Sequence, residues 1–317
     1  MISLNDIEKV YGKISGYINP TTMQNFPAVD AIVGNGIKIF FKPEILQPTK
    51  SFKVRNAFGG LVVLSVDEKK KGVIAASTGN LGQGLAYAGS VLGIPVTICV
   101  KKNNNPKKNE AIRGWGAKLV EYGDTYNEAH ENAIRISEET ELPYFSTSKR
   151  LYAFAGAATI GFEIFKEGIK IDRVVHSIGS GTHAAGTSIS ARYLSPGTKI
   201  MGVQAVNAST IHDYWHNKTN ITPVTDTIAD AISLGRDFYA YSVKLLRDHL
   251  HQFSTVTEDE IINAIKIIYK ATGYIVEPAG AVGFAGVLAN REQFGNENIA
   301  VILSGGNLSD TLKYLIE

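Results

Sequence analysis

Between residues 72 and 149 short apolar runs alternate with helical patterns, and this alternation constrains the fold more than any other feature of the chain. Val73-Ile74-Ala75-Ala76 reads as a strand, and residues 81–92 as the helix after it. Residues 96–100 form the next strand, 106–115 a helix stopped by Gly116, and 117–122 a third strand. A helix over 126–139 and a short strand over 143–146 complete the block. Strand-helix units at this spacing predict a parallel sheet, because a parallel strand needs a crossover.

A second series follows the first. Strands are expected over 173–178, 199–205 and 299–303, with a helix over 183–193. Thr257-Glu258-Asp259-Glu260 is a capping box that opens another helix. Ile261, Ile262, Ile265, Ile268 and Tyr269 are expected to form its buried face. The chain has 317 residues, enough for two domains. The fold class is therefore α/β, with two domains, each a mostly parallel twisted sheet flanked by helices. The expected division is a large domain from residues 1–71 and 150–317, and a small inserted domain from 72–149.

Composition narrows the function. At 44% hydrophobic and 20% charged residues, the chain can bury a core without covalent staples. A formal net charge of +2 leaves no electrostatic footprint for nucleic acid. No run approaches the roughly 20 apolar residues of a membrane span, and the polar N-terminus has no signal region. No regulatory module is expected after Glu317. The single cysteine, Cys99, lies in an apolar run and reads as a packed thiol, which places the chain in the cytoplasm. Lys69-Lys70-Lys71 reads as an exposed helix end, where positive charge suits the dipole.

Four segments can carry chemistry. In Ser51-Phe52-Lys53-Val54-Arg55, Phe52 can hold a lysine in apolar surroundings, where desolvation favours the neutral amine. Ser77-Thr78-Gly79-Asn80 lies between a strand and a helix, where hydroxyls and backbone amides can hold a carboxylate. Gly179-Ser180-Gly181-Thr182 occupies the same kind of position, and small residues there let the backbone wrap a phosphate. Ser304-Gly305-Gly306-Asn307 follows the last buried strand, and Ser304 can hydrogen-bond a ligand nitrogen. A nicotinamide enzyme fits poorly. Gly79, Gly82 and Gly84 lack the G-x-G-x-x-G spacing, and Lys101-Lys102 stands where a ribose-binding acid is expected.

In this order the four segments resemble fold-type II pyridoxal-phosphate enzymes (the tryptophan-synthase-β-like fold). The match is with their serine/threonine dehydratase group, including phenylserine-dehydratase-like members. Val256-Thr257-Glu258-Asp259-Glu260 and Val276-Glu277-Pro278-Ala279-Gly280-Ala281 also resemble that group. The resemblance implies pyridoxal 5'-phosphate as cofactor. Lys53 would be the Schiff-base lysine and Phe52 would pack beside the ring. Asn80 would bond the 3′-oxygen, and Gly179, Ser180, Gly181 and Thr182 would cradle the phosphate. Ser304 would face the pyridine nitrogen. Ser77, Thr78 and Gly79 would hold the substrate carboxylate. Lys53, Thr78 and Ser77 are the expected catalytic residues, since Thr78 stands where serine racemases use a second acid/base.

The resemblance further implies a lyase, a small amino-acid substrate and a homodimer. The expected reaction converts a β-hydroxy amino acid such as threonine or serine to a keto acid and ammonia. Racemase, threonine synthase and β-replacement synthase are alternatives of the same fold. A non-catalytic cofactor-binding protein is the alternative of another class. The acidic metal ligand of the racemases is missing after Ala205, so no metal is expected. His212 and His216 sit four apart but have no third ligand, and Asp213 is expected on another face. Trp115 and Trp215 read as packing residues, and His183 as part of the phosphate loop or a helix start.

Overall fold

In a computed structural model, residues 2–147, 151–219, 221, 226–233, 244 and 246–317 are described. In chain order the first elements are α1 (Leu4–Ile14), β1 (Gln24–Asn25), α2 (Pro27–Val33), β2 (Lys38–Lys42), α3 (Lys53–Leu61) and α4 (Val66–Lys71). Next come β3 (Val73–Ala76), α5 (Asn80–Leu92), β4 (Val96–Val100), α6 (Pro106–Gly114), β5 (Lys118–Glu121) and α7 (Tyr126–Thr140). The remainder are α8 (Leu151–Lys166), β6 (Arg173–Ser177), α9 (Thr182–Leu194), β7 (Lys199–Ala205), α10 (Thr210–Trp215), β8 (Gln252–Val256), α11 (Glu258–Thr272), α12 (Pro278–Asn290) and β9 (Asn298–Ile302).

The chain divides into two units, Met1–Asn19 with Gln47–Thr159, and Pro20–Leu46 with Ile160–Glu317. These boundaries differ from the expected ones, and the expected cut at 149/150 lies outside the described residues. The difference has a packing cause. Helix α3 lies along α5, so residues ahead of 72 join the unit that holds the small sheet. The first half of α8 joins them because Gly156 comes so close to α3 that a Cβ there would overlap the Arg55 carbonyl oxygen.

The first unit contains the three-stranded parallel sheet β3-β4-β5. Ala133 of α7 packs on Ile74, Ala76 and Cys99, while Gly82 of α5 approaches the Ile98 side chain. The alternation of strand side chains thus gives each helix its own face. Burial pushes the Cys99 thiol up to about 11, so it is a packed, unreactive group. Residues 143–146 do not form a strand. Tyr144 makes only an isolated bridge to Ile74, whose backbone bonds to Pro143 and Phe145 close the pairing after one residue.

The second unit contains a six-stranded sheet in the order β1-β2-β9-β6-β7-β8. Strand β1 is antiparallel to β2, and the other pairs are parallel. The β2, β6, β7 and β9 runs are buried nearly throughout, as parallel strands covered on both faces must be. Helix α11 starts at the Thr257–Glu260 capping box and ends at Gly273 with φ +74°. Its buried face is Ile261, Ala264, Ile265 and Ile268. Ile262 is only half-buried, and Tyr269 is 37% exposed because it lies one residue past the stripe, about 100° around the helix. Lys69, Lys70 and Lys71 occupy the last turn of α4, as their charge pattern predicts. Among the described residues no helix is long and apolar enough to cross a membrane.

Candidate active site

In the first unit, Lys53 is the first residue of α3 and is half-buried. Its Nζ lies 4.7 Å from the centroid of the buried Phe52 ring. The helix behind it is anchored at two points. The fully buried Arg55 donates from Nη1 to Thr159 Oγ1 at 3.0 Å, and Asn56 donates from Nδ2 to the Ala153 carbonyl at 2.8 Å. Gly84 rests against the Lys53 backbone, and a Cβ there would stand 3.1 Å from the Lys53 carbonyl. Asn80 lies one turn before Gly84 on the same helix, so the fold brings the start of α5 to the start of α3. Gly84 and Arg55 were not singled out for this role, because a close backbone approach leaves no local sequence signal.

Helix α5 begins at Asn80, and its N-cap is Gly79, which makes no side-chain cap. Ser77 serves the helix from two residues further back. Its Oγ accepts from the Gly82 amide at 2.9 Å and from the Gly79 amide at 3.4 Å. With its oxygen engaged there, the hydroxyl hydrogen of Ser77 is the part left to meet an anion. Thr78 is half-buried, and its carbonyl accepts from Asn104 Nδ2 at 3.5 Å. No atom of the described residues lies within 4 Å of where a Cβ on Gly79 would stand. Just beneath this turn, Tyr126 donates its hydroxyl to the Ala76 carbonyl at 3.4 Å.

In the second unit, β6 and β9 are parallel neighbours with Val175 opposite Val301. Three residues further along each strand come Ile178 and Ser304, at the carboxyl edge of one sheet. Strand order reverses here, since β6 leads out to β7 and β8 while β9 returns to its other side. Such a switch point is where open α/β sheets bind ligands. Gly181 has φ +72° and is the N-cap of α9, which has no side-chain cap. A Cβ on Gly181 would stand 2.8 Å from the Leu246 side chain. Ser180 Oγ and Thr182 Oγ1 are 3.4 Å apart. Ser304 is buried, and its Oγ donates to the Ala279 carbonyl at 3.4 Å.

Comparison with known proteins identifies the family. The family described as PALP, pyridoxal-phosphate dependent enzyme, matches residues 14–305. The chain belongs to this family. It is 32% identical to an L-threonine ammonia-lyase of Thermotoga maritima over 309 residues, covering 97% of this chain and 76% of that protein. It is 33% identical to the serine racemase of Rattus norvegicus, covering 98% and 94% of the two chains. The processed form of threonine deaminase isoform 2 from Solanum lycopersicum superposes with a TM-score of 0.88 at 28% identity, covering 99% and 93%. The cofactor of this pyridoxal-phosphate enzyme is thereby established, and its fold is of type II.

The residues present fit the cofactor. The glycine-led turn ahead of α9 keeps helix amides clear of side-chain caps, as a phosphate requires. Phe52 is an apolar face next to the Lys53 amine. The remaining polar residues serve other ends. Contrary to expectation, Asp213 does reach His212, with Oδ1 3.0 Å from Nδ1, because the side chains bridge adjacent residues. Burial nevertheless holds His212 below the ordinary imidazole range. The His216 ring lies 4.3 Å from that of His212, yet no cluster of three metal-ligating residues occurs among the described residues. Trp115 packs on Tyr87, and Trp215 on Phe253. His183 is the second residue of α9 and is buried.

Proposed function

We propose that the protein is a dehydratase (ammonia-lyase) that converts a β-hydroxy amino acid, such as L-threonine or L-serine, to a 2-keto acid and ammonia. The observation that carries this reading is the approach of the two helix starts in the first unit, with Gly84 seated on the Lys53 backbone. It joins an amine able to take a proton to a turn able to hold a carboxylate. The L-threonine ammonia-lyase relative supports the same reaction.

In this reading Lys53 would hold the cofactor covalently, Phe52 would pack beside it and Asn80 would bond its 3′-oxygen. Gly179, Ser180, Gly181 and Thr182 would hold its phosphate. When bound, pyridoxal phosphate supplies a sink for the electron pair left at the substrate's α-carbon. Ser77, Thr78 and Gly79 hold the substrate carboxylate, with Ser77 donating its hydroxyl hydrogen. The Lys53 amine would remove the substrate's α-proton as general base. Ser304 would face the pyridine nitrogen, where its hydroxyl would be too weak an acid to protonate it, which would favour loss of a β-group from the substrate. The β-hydroxyl leaves with one proton as water, and one water is consumed in releasing ammonia, so each amino acid gives one keto acid and one ammonia.

Racemisation is the second reading. It is favoured by Thr78, half-buried within the 77–80 turn, and by the serine racemase relative. The chain acts as a homodimer in either case, as the resemblance implies. The deciding experiment measures keto acid and ammonia released from L-threonine, L-serine, threo-phenylserine and threo-3-hydroxyaspartate. Release from any of them supports the dehydratase and names its pocket. Conversion of L- to D-serine without release would replace it with the racemase.

A further inference from the structure

His176 lies on β6 with 0% exposure, and neither ring nitrogen has a hydrogen-bond partner among the described residues. Its strand neighbours point the other way, since Ser177 Oγ accepts from the Gly283 amide of α12 at 3.0 Å. His176 instead faces α9, where its ring meets that of His183 edge-on with centroids 4.8 Å apart. One turn and two turns further along the same face of α9 come Thr187 and Ser190. Both hydroxyls are buried and have no hydrogen-bond partner among the described residues, and that of Thr187 lies beside Gly161 of α8.

Such a stripe is costly as dry protein. Each buried polar group without a partner costs about 1–3 kcal/mol, and native interiors rarely carry several together. Burial pushes the His176 imidazole down to about 3, so it is neutral and presents one N–H donor and one bare nitrogen acceptor. A metal does not resolve the stripe, because no carboxylate or thiolate joins the two histidines in a ligand cluster among the described residues. Water does resolve it, since a buried water makes about three hydrogen bonds to groups of this kind.

We infer that the seam that α9 forms with β6 and α8, bounded by His176, His183, Thr187 and Ser190, holds ordered water and braces the turn 178–182 from behind, so that His176 is a positioning residue for the grip on the cofactor's phosphate. The seam begins one residue after that turn, at His183, and two residues before it, at His176. The bracing role rests on the assignment of the turn to the phosphate. The water site itself does not.

The test titrates cofactor-stripped full-length protein with pyridoxal 5'-phosphate and with pyridoxal, following absorbance. H176L is expected to weaken pyridoxal phosphate binding about tenfold and to leave pyridoxal binding within twofold. H176Q, which keeps a donor and an acceptor, is expected to stay within threefold of the parent for both. T187V is expected to show a smaller loss in the same direction as H176L, and supplies the comparison if H176L does not fold. Equal losses for pyridoxal and pyridoxal phosphate, or no loss in either apolar variant, would overturn the bracing role. A parent protein that binds both compounds equally would sink the phosphate assignment and the bracing role together. A high-resolution crystal structure of the holoenzyme decides the water site separately, and a seam with no water bonded to His176 overturns it.

Discussion

The starts of α7 and α9 solve the same physical problem in opposite ways. Every helix leaves its first amides without internal partners. At α7 Thr125 accepts from the Glu128 amide, and Glu128 reaches back to the Thr125 amide, in an exposed box. Similar boxes open α1, α4 and α11, with Ser3, Ser65 and Thr257 as caps. At α9 a left-handed glycine leads directly into the helix, and no side chain caps it. Helices α3 and α5 have no cap from their own N-cap residues and are served from outside, α3 by Ser51, whose Oγ accepts from the Lys53 amide at 3.4 Å, and α5 by Ser77. The helices with full boxes use their own side chains for stability. Helices α2, α10 and α12 also begin without a side-chain cap, but among the helices without boxes α3, α5 and α9 are the ones that begin at residues assigned to the cofactor and substrate.

The sharpest way to break this contrast is at Lys53, the head of uncapped α3. Lys53→Ala should lower turnover by about 10³-fold or more, as loss of a nucleophile and base requires, with secondary structure unchanged by circular dichroism. Full activity in that variant would remove α3 from the site.

The next largest effect concerns the interior behind α9. His176 has its pKa lowered to about 3 in the folded protein, by burial. Above the unfolded value of about 6.5 both states are neutral and it contributes nothing to the pH dependence. As pH falls below that, the unfolded chain takes up a proton that the folded protein refuses. Stability should therefore fall by about 1.4 kcal/mol per pH unit down to about pH 3. Urea titrations across that range should show a shallower dependence in His176→Gln; identical slopes would mean that His176 is not buried neutral.

Gly181→Val tests the turn itself. A residue with a Cβ at φ +72° is strained by about 1–2 kcal/mol and would press on Leu246. Pyridoxal phosphate affinity should drop about tenfold, and equilibrium dialysis that finds it unchanged would detach the turn from the cofactor.

The smallest effect is at the capped end. Thr125→Ala should cost about 1 kcal/mol of stability in thermal unfolding and leave turnover per folded molecule unaltered. Glu128 adds a pH signature. Hydrogen bonds from the Asp124 amide, then from Thr125, hold its carboxyl below the usual range. The box therefore contributes above the unfolded pKa and is lost as pH falls through the lowered folded value. A turnover loss in Thr125→Ala would show that capped and uncapped ends are not separate in role.

Much of this was legible in residue order. The Thr257–Glu260 box, the strands over 96–100 and 199–205, and the strand-to-helix turns at residues 77–80 and 179–182 all stand where local patterns place them. Caps and turns involve residues a few positions apart, so their signals are complete within a short window. The four ordered segments also pointed to the pyridoxal-phosphate family, which the chain belongs to. Tertiary packing decided the rest. Tyr269 is exposed although the pattern put it inside, and residues 143–146 stop at one bridge. Gly156 against Arg55, Gly84 against Lys53, and His176 against α9 join positions from 7 to 101 residues apart in the sequence. Such contacts depend on which backbones the whole chain brings together, and no window of neighbouring residues contains that information.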